Sequence, residues 1–277
     1  MKIGNGTGRV ARWLLAAVMA FGVSTTAMAG VSTSKHNLGS GGPGPNTASD
    51  TAEICVFCHT PHAADVSVPG VPLWNKAFTT TSYTTYSSST MDAIGTGAAG
   101  VVSIGSVSIA CLSCHDGTQA MDNIRNAPGS GGFDATGGGA GGLTYSWTGA
   151  DVMANTPSTL AMLGSDLSND HPIGIQYCGG YTTVLGCKDT DFNAPATGTI
   201  GGATAFWVET TGSGVGRQKA DMILYQRNFA ANNGAYTAGL YPSVECASCH
   251  DPHNPTNGTF LRVANTGSAV CLACHIK

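Results

Sequence analysis

Four Cys-x-x-Cys-His motifs contain the residues of this sequence whose types and spacing can do chemistry. In such a motif the two cysteines form thioether bonds to a haem, and the adjacent histidine binds the iron from one face. Zinc sites and redox-active Cys-x-x-Cys pairs do not explain a histidine after every second cysteine. The sequence therefore predicts four covalently bound haem c groups, at sites 1 to 4 in chain order: Cys55, Cys58 and His59; Cys111, Cys114 and His115; Cys246, Cys249 and His250; Cys271, Cys274 and His275.

Four further histidines match the four motifs in number, since the chain has 8 histidines in all. We predict that all four are distal ligands of haem iron, because each occupies a repeated position in the sequence. Methionine is the competing distal ligand, but no methionine after residue 29 stands in a repeated position. The predicted distal ligands are His36, His62, His171 and His253.

The two halves of the chain share an order of motifs. Each half has a His-x-Leu/Ile-Gly segment, then Cys-x-x-Cys-His-x-Pro-His, then Cys-Leu-x-Cys-His. This order predicts a dihaem module over residues 30–126 and a second over 150–277, joined by a Gly-rich linker, 127–149. His62 follows His59 by three residues, so the two rings lie on one side of a turn and bind different haems. We therefore expect closely stacked haems.

The first 29 residues have the pattern of a secretory signal peptide. A basic segment precedes the apolar stretch Trp13–Val23, which is too short to span a bilayer, and Ala27-Met28-Ala29 is a cleavage signal. The alternative is an uncleaved membrane anchor. We expect a secreted extracellular or cell-surface protein, or a periplasmic one, with no membrane span after cleavage. Removing the three cations of this segment changes the net charge from −4 to −7, which argues against a nucleic-acid partner.

Cys178 and Cys187 lie outside the motifs, and no histidine follows either. In an oxidising compartment such a pair predicts a disulfide, with two free thiols as the alternative.

The composition predicts a fold that is mostly coil, with short helices and few short strands, wrapped around a chain of four stacked haems. The sequence has 39 glycines and only 10% charged residues, so the macrocycles supply much of the core. We predict short helical turns at the motifs, a helix over Arg217–Phe229 and a hairpin over Val101–Ile109. Residues 79–90 and 127–149 are predicted loops.

Two histidines on each iron leave no open position for a substrate, and no acid–base cluster stands out in the sequence. These features favour electron transfer over catalysis, so we expect no enzymatic activity. The alternative of a multihaem reductase, such as a nitrite reductase, predicts a five-coordinate haem.

The segments "ICVFCHTPH" and "CASCHDPHN" resemble the doubled motifs of multihaem c-type cytochromes. The number of motifs, the signal peptide and the coil-rich body are similar to the OmcE-type tetrahaem cytochromes of metal-reducing bacteria. This resemblance implies an extracellular filament, or cytochrome nanowire, in which one axial histidine comes from a neighbouring subunit. It also implies redox proteins or extracellular metal oxides as electron acceptors. The Gly-rich linker and the Cys178/Cys187 pair are not features of the resemblance.

The order of the motifs also indicates head-to-tail assembly. His171 begins the second module and can reach back to a haem of the first. If a repeated step relates the modules, His36 reaches in the same way to the second module of a neighbouring subunit, at His250 or His275. The alternative is a monomeric periplasmic shuttle, or the electron-donating subunit of a reductase, in which His36 folds back onto its own chain.

Overall fold

The computed structural model describes residues 30–68, 70–78, 81–92, 102–128, 132–137, 144–154, 160–180, 186–210, 214, 216–229 and 239–276. The predicted signal peptide lies outside these residues. None of the helices in the described ranges has the length and apolar character needed to cross a membrane.

The described residues form short strands, three short helices and extended connecting segments. The helices are α1 (Ser106–His115), α2 (Cys246–Cys249) and α3 (Ala269–Leu272). The strands are β1 (Thr47–Ala48), β2 (Thr84–Thr85), β3 (Trp147–Thr148), β4 (Asp166–Leu167), β5 (Ile175–Gln176), β6 (Ala196–Ile200), β7 (Ala203–Val208), β8 (Met222–Phe229) and β9 (Gly239–Val244). Single 3₁₀ turns occur at Gly30–Thr33, Cys55–Phe57, Tyr177–Gly179, Gly258–Phe260 and Thr266–Ser268.

A five-stranded antiparallel sheet in the second half has the order β5-β9-β8-β7-β6. The sequence analysis did not predict this sheet, and the helix predicted over Arg217–Phe229 is wrong. Met222 and Leu224 are buried on one face of β8 and alternate with the half-buried side chains of Ile223 and Tyr225. The segment therefore follows the two-residue period of a strand, and hydrogen bonds to β7 and β9 stabilise it.

The hairpin predicted over Val101–Ile109 is also wrong in the part that the structure describes. α1 begins at Ser106 and continues to His115. Ile109 and Leu112 are buried one turn apart, which is the spacing of a helix face. The alternation that suggested a hairpin is too short to distinguish the two structures.

The predicted linker is partly integrated into the first module. β3 pairs antiparallel with β1, and Trp147 packs with Phe57 between the cysteines of site 1. In the predicted loop over residues 79–90, the two-residue strand β2 pairs in parallel with β4. Both pairings connect segments that are far apart in sequence, which local patterns do not reveal.

One face of the five-stranded sheet forms the largest apolar core of the described residues. Phe206, Met222 and Leu224 lie at its centre, and Cys249 and Cys274 pack against it. β9 ends directly before the site 3 motif, and α3 carries site 4. The sheet is therefore the platform on which both motifs of the second module rest.

The predicted disulfide between Cys178 and Cys187 is confirmed, with a Cα–Cα distance of 5.4 Å. Cys178 is buried in the core beside the sheet, so the bond fixes the loop after β5 to that core. The bond closes a short loop, because the two cysteines are 9 residues apart.

Replacing both cysteines by serine should lower the free energy of unfolding by about 2–3 kcal/mol, because the unfolded chain regains the entropy of a loop of roughly ten residues. Thermal unfolding followed by circular dichroism measures this change. The haem content of the folded variant should not change, and a loss of haem would contradict a purely structural role.

Candidate haem sites

Each of the four motifs lies on a single helical turn that brings its two cysteines and its histidine together. At site 1 the His59 backbone N–H donates to the Cys55 carbonyl at 2.7 Å, and the His275 N–H donates to the Cys271 carbonyl at 2.9 Å. Site 3 has the corresponding bond from His250. Site 2 occupies the last turns of α1. The predicted helical turns at the motifs are therefore confirmed.

Backbone carbonyl groups orient the imidazole rings of three of the motifs. His59 Nδ1–H donates to the Pro72 carbonyl at 2.9 Å, His115 to that of Ala161 at 2.7 Å, and His250 to that of Thr259 at 2.7 Å. Since a carbonyl only accepts, Nδ1 carries the proton and the Nε2 lone pair is free to bind a metal. Metal-bound histidines in proteins are held in the same way.

Three of the four predicted distal histidines lie opposite a motif histidine of the same chain. The ring centroids are 6.1 Å apart for His36 and His115, 6.1 Å for His59 and His253, and 6.4 Å for His171 and His275. Imidazole–metal bonds of about 2 Å on both sides of one ion separate the two ring centroids by roughly 6 Å. These three pairs therefore have the separation that bis-histidine ligation of one iron requires.

His62 and His250 have no such partner among the residues that the structure describes. Both side chains are exposed. Asn126 Nδ2 donates to the His62 carbonyl at 3.2 Å, so the backbone of this turn is held. The repeat in the sequence relates these histidine pairs to one another. The pair His36/His115 is equivalent to the pair His171/His275, and the pair His253/His59 would be equivalent to a pair His62/His250. His62 and His250 of the same chain do not face each other in this way.

His36 lies at the position that the sequence analysis gave as its alternative, folded back onto its own chain. Its ring stacks on Phe260 with a centroid distance of 4.3 Å, and its Nδ1–H donates to the Pro252 carbonyl at 3.3 Å. Together with the His115 ring, these contacts hold His36 inside its own chain. His171 likewise faces site 4 of its own module and does not reach back to the first module. These contacts favour the alternative in which His36 folds back onto its own chain, and donation of His36 to a neighbouring subunit stays a prediction.

Burial favours the neutral form of three imidazoles at these sites. It is the main reason that the pKa of His36 falls to about 4, with the nearby His115 contributing further. Burial also lowers the pKa of His59 and that of His115. Only a neutral imidazole offers a lone pair to iron, so these shifts favour ligation at neutral pH.

The motif cysteines lie next to one another in the order of the sites. The thiols of Cys111 and Cys246 are hydrogen-bonded to each other, which raises the pKa of Cys111 and lowers that of Cys246. Burial, and then the neighbouring Cys114, raise the pKa of Cys58 to about 12. Site 1 therefore adjoins site 2, and site 2 adjoins site 3.

The same relation continues to the last site. Burial, and then the neighbouring Cys249, raise the pKa of Cys274 to about 12. Site 3 therefore adjoins site 4, so each motif lies next to the following one in chain order.

The surroundings of the motifs fit a haem group better than a zinc ion. Val71, Trp74 and Ala110 form an apolar cluster against Cys58. Trp74 Nε1 is buried without a hydrogen-bond partner, and its ring lies 6.0 Å from that of His59. A buried donor without a partner beside paired thiols and a neutral imidazole suits a large cofactor with polar substituents. In the described part of the chain, no three His, Cys, Asp or Glu side chains converge as a zinc site requires.

Several residues that support the sites were not found by sequence reasoning. The carbonyl groups that orient the imidazoles carry no side-chain signal, and Trp74 lies well away from the nearest motif in sequence. Glu245 directly precedes the site 3 motif, and Ser248 lies three residues later, which is the spacing of a capping box. That spacing could have indicated a buried role for Glu245.

A family model described as "Doubled CXXCH motif" matches residues 242–277, which contain sites 3 and 4. A search of the curated proteins finds no match to the chain. The match supports the haem-attachment motifs of a multihaem c-type cytochrome, with covalently bound haem c and a role in electron transfer as a carrier.

Replacing a distal histidine that has a partner within the chain should remove the sixth ligand of one iron. In dilute protein, His36→Ala, His171→Ala and His253→Ala should each add one high-spin iron per chain, whereas His62→Ala should add none. Electron paramagnetic resonance at low temperature counts these irons. An added high-spin signal in His62→Ala, or none in the other three, would show that the ligand pairs are wrong.

Proposed function

We propose that this protein is a tetrahaem c-type cytochrome that carries electrons along a row of four closely spaced bis-histidine haems. The single observation that supports this best is the spacing of the three histidine pairs, at 6.1–6.4 Å. Bound haem supplies a one-electron Fe(III)/Fe(II) couple. The chain fixes the attachment points with its cysteines, lowers the pKa of His36, His59 and His115 by burial, and orients three motif imidazoles through backbone carbonyls.

Electron transfer without substrate chemistry follows from the ligands. When both axial positions of an iron are held by histidine, no position remains for a substrate to bind. The adjoining cysteines of successive sites support short distances between neighbouring cofactors. An electron carrier needs irons with both axial positions filled and short distances between haems, whereas a reductase needs an iron with a vacant axial position.

We further propose that copies of the chain assemble head to tail, with His62 of one subunit completing site 3 of its neighbour at His250. Both rings are exposed, and among the residues that the structure describes neither has a histidine partner within the separation of the other three pairs. Near His62, the apolar side chains Val66 and Leu73 are 81% and 51% exposed, which suits a protein contact. A contact between two different surfaces need not close and produces a filament.

This proposal agrees with the resemblance to OmcE-type tetrahaem cytochromes, but it assigns the connecting ligand to His62 and not to His36. The expected site of action is extracellular or at the cell surface, with redox proteins or metal oxides as acceptors. A monomeric periplasmic shuttle is the second candidate, because three of the four sites have both histidines within one chain. In a shuttle, site 3 remains accessible or takes His62 of the same chain.

Replacing His62 by alanine should abolish filaments while keeping the full haem content, because only the ligand between subunits is lost. Electron micrographs of the purified protein and its sedimentation at micromolar concentration measure assembly. His171→Ala is the matched control, since its ring is also exposed but completes site 4 within the chain; this variant should still assemble.

If His62→Ala forms filaments like those of the unaltered protein, the proposed contact is wrong. If the unaltered protein stays monomeric at every concentration, the shuttle is the correct function. Low-spin iron at all four sites would then mean that His62 binds site 3 of its own chain, and one high-spin iron would mean that site 3 remains accessible.

A further inference from the structure

Glu245 is a buried carboxylate that the haem sites do not use as a ligand. It stands between the end of β9 and the start of α2, and its side chain is fully buried. Burying a carboxylate is costly unless it is paired and hydrogen-bonded, so its partners indicate its role.

The partners of Glu245 are donors on three different elements. Ser108 Oγ of α1 donates to Oε2 at 2.5 Å, whereas Ser243 Oγ of β9 and Arg227 Nη1 of β8 donate to Oε1 at 3.0 and 3.2 Å. Ser248 of α2 completes a capping box with the same residue.

The direction of these hydrogen bonds fixes the charge of the group. Ser108 Oγ accepts from the Cys246 N–H at 3.0 Å, so its own proton goes to Glu245. The Ser108 and Ser243 hydroxyls and the Arg227 cation therefore hold an ionised carboxylate. Burial raises the pKa of Glu245, and Arg227 opposes that rise.

This carboxylate lies where the two dihaem modules meet. Ser108 is one turn before Cys111 on α1, and Glu245 directly precedes Cys246. The side chains of Cys111 and Cys246 lie next to each other at the same place. The attachment points of sites 2 and 3 are therefore both close to the charge.

A buried negative charge stabilises ferric over ferrous iron nearby, because the reduced site carries one positive charge fewer. Little water or salt screens this effect in the interior. Arg227 offsets it in part, but its side chain is 15% exposed and is therefore better solvated. We propose that Glu245 lowers the reduction potentials of the haems at sites 2 and 3, which lie at the junction between the modules. This inference rests on the proposed function, because it requires bound haems at these sites.

The test is a mediated optical redox titration of the full chain with its haems, at one pH, for the unaltered protein and Glu245→Gln. Glutamine keeps the shape and removes the charge. Two of the four one-electron components should move to higher potential, each by a tenfold or larger change in the reduction equilibrium, about 59 mV for one electron. The other two should not move.

Two variants separate charge from packing. Asp221→Asn neutralises a carboxylate that is equally buried, bonded to the Thr210 and Gln218 N–H groups and to no motif residue, and should leave all four potentials unchanged. Ser108→Ala loosens the same network but keeps the charge, and should not raise any potential. Arg227→Gln removes the paired cation and should lower the two potentials that Glu245→Gln raises, so the sign can still be read if Glu245→Gln does not fold.

An unchanged titration in Glu245→Gln overturns the inference, and so does an equal rise in Ser108→Ala or in Asp221→Asn. Failure of the proposed function is distinct, since it would appear as fewer than four haems or four redox components in the unaltered protein.

Discussion

The pairing of one anchored imidazole with a second imidazole about 6 Å away is the constraint on which the rest of this structure depends. Iron ligation on both faces of a porphyrin requires two neutral rings at this separation. Backbone carbonyls orient His59 and His115, the first rings of two pairs, and burial lowers the pKa of both. The distal histidine of each pair comes from a segment that is distant in sequence, and the fold must bring its ring opposite the motif histidine.

The two modules interlock because ligand pairs and protein contacts cross between them. His253 of the second module faces His59 of the first, and His36 rests on Phe260 while it faces His115. The Ser108–Glu245 hydrogen bond joins α1 to the turn before site 3. The modules are therefore not independent units, and their junction is where electrons would pass from one half of the row to the other.

The sequence predicted the chemistry of the chain better than its architecture. The motif residues, the helical turns around them and the Cys178–Cys187 disulfide follow from residue type and spacing, which are local. The repeated glycines of the His-x-Leu/Ile-Gly segments also have a physical reason, because a Cβ on Gly39 or Gly174 would lie within 3 Å of a backbone carbonyl oxygen. The five-stranded sheet depends on pairings between distant strands. The role of His36 depends on contacts with Pro252 and Phe260, which no local pattern contains.

The most direct measurement counts high-spin iron per chain in the unaltered protein by electron paramagnetic resonance, first in dilute solution and then after assembly. The account predicts one high-spin iron among four when the chain is alone, at site 3, and none once a neighbour supplies His62. Four low-spin irons in the dilute chain, or a high-spin signal that assembly leaves unchanged, would contradict it.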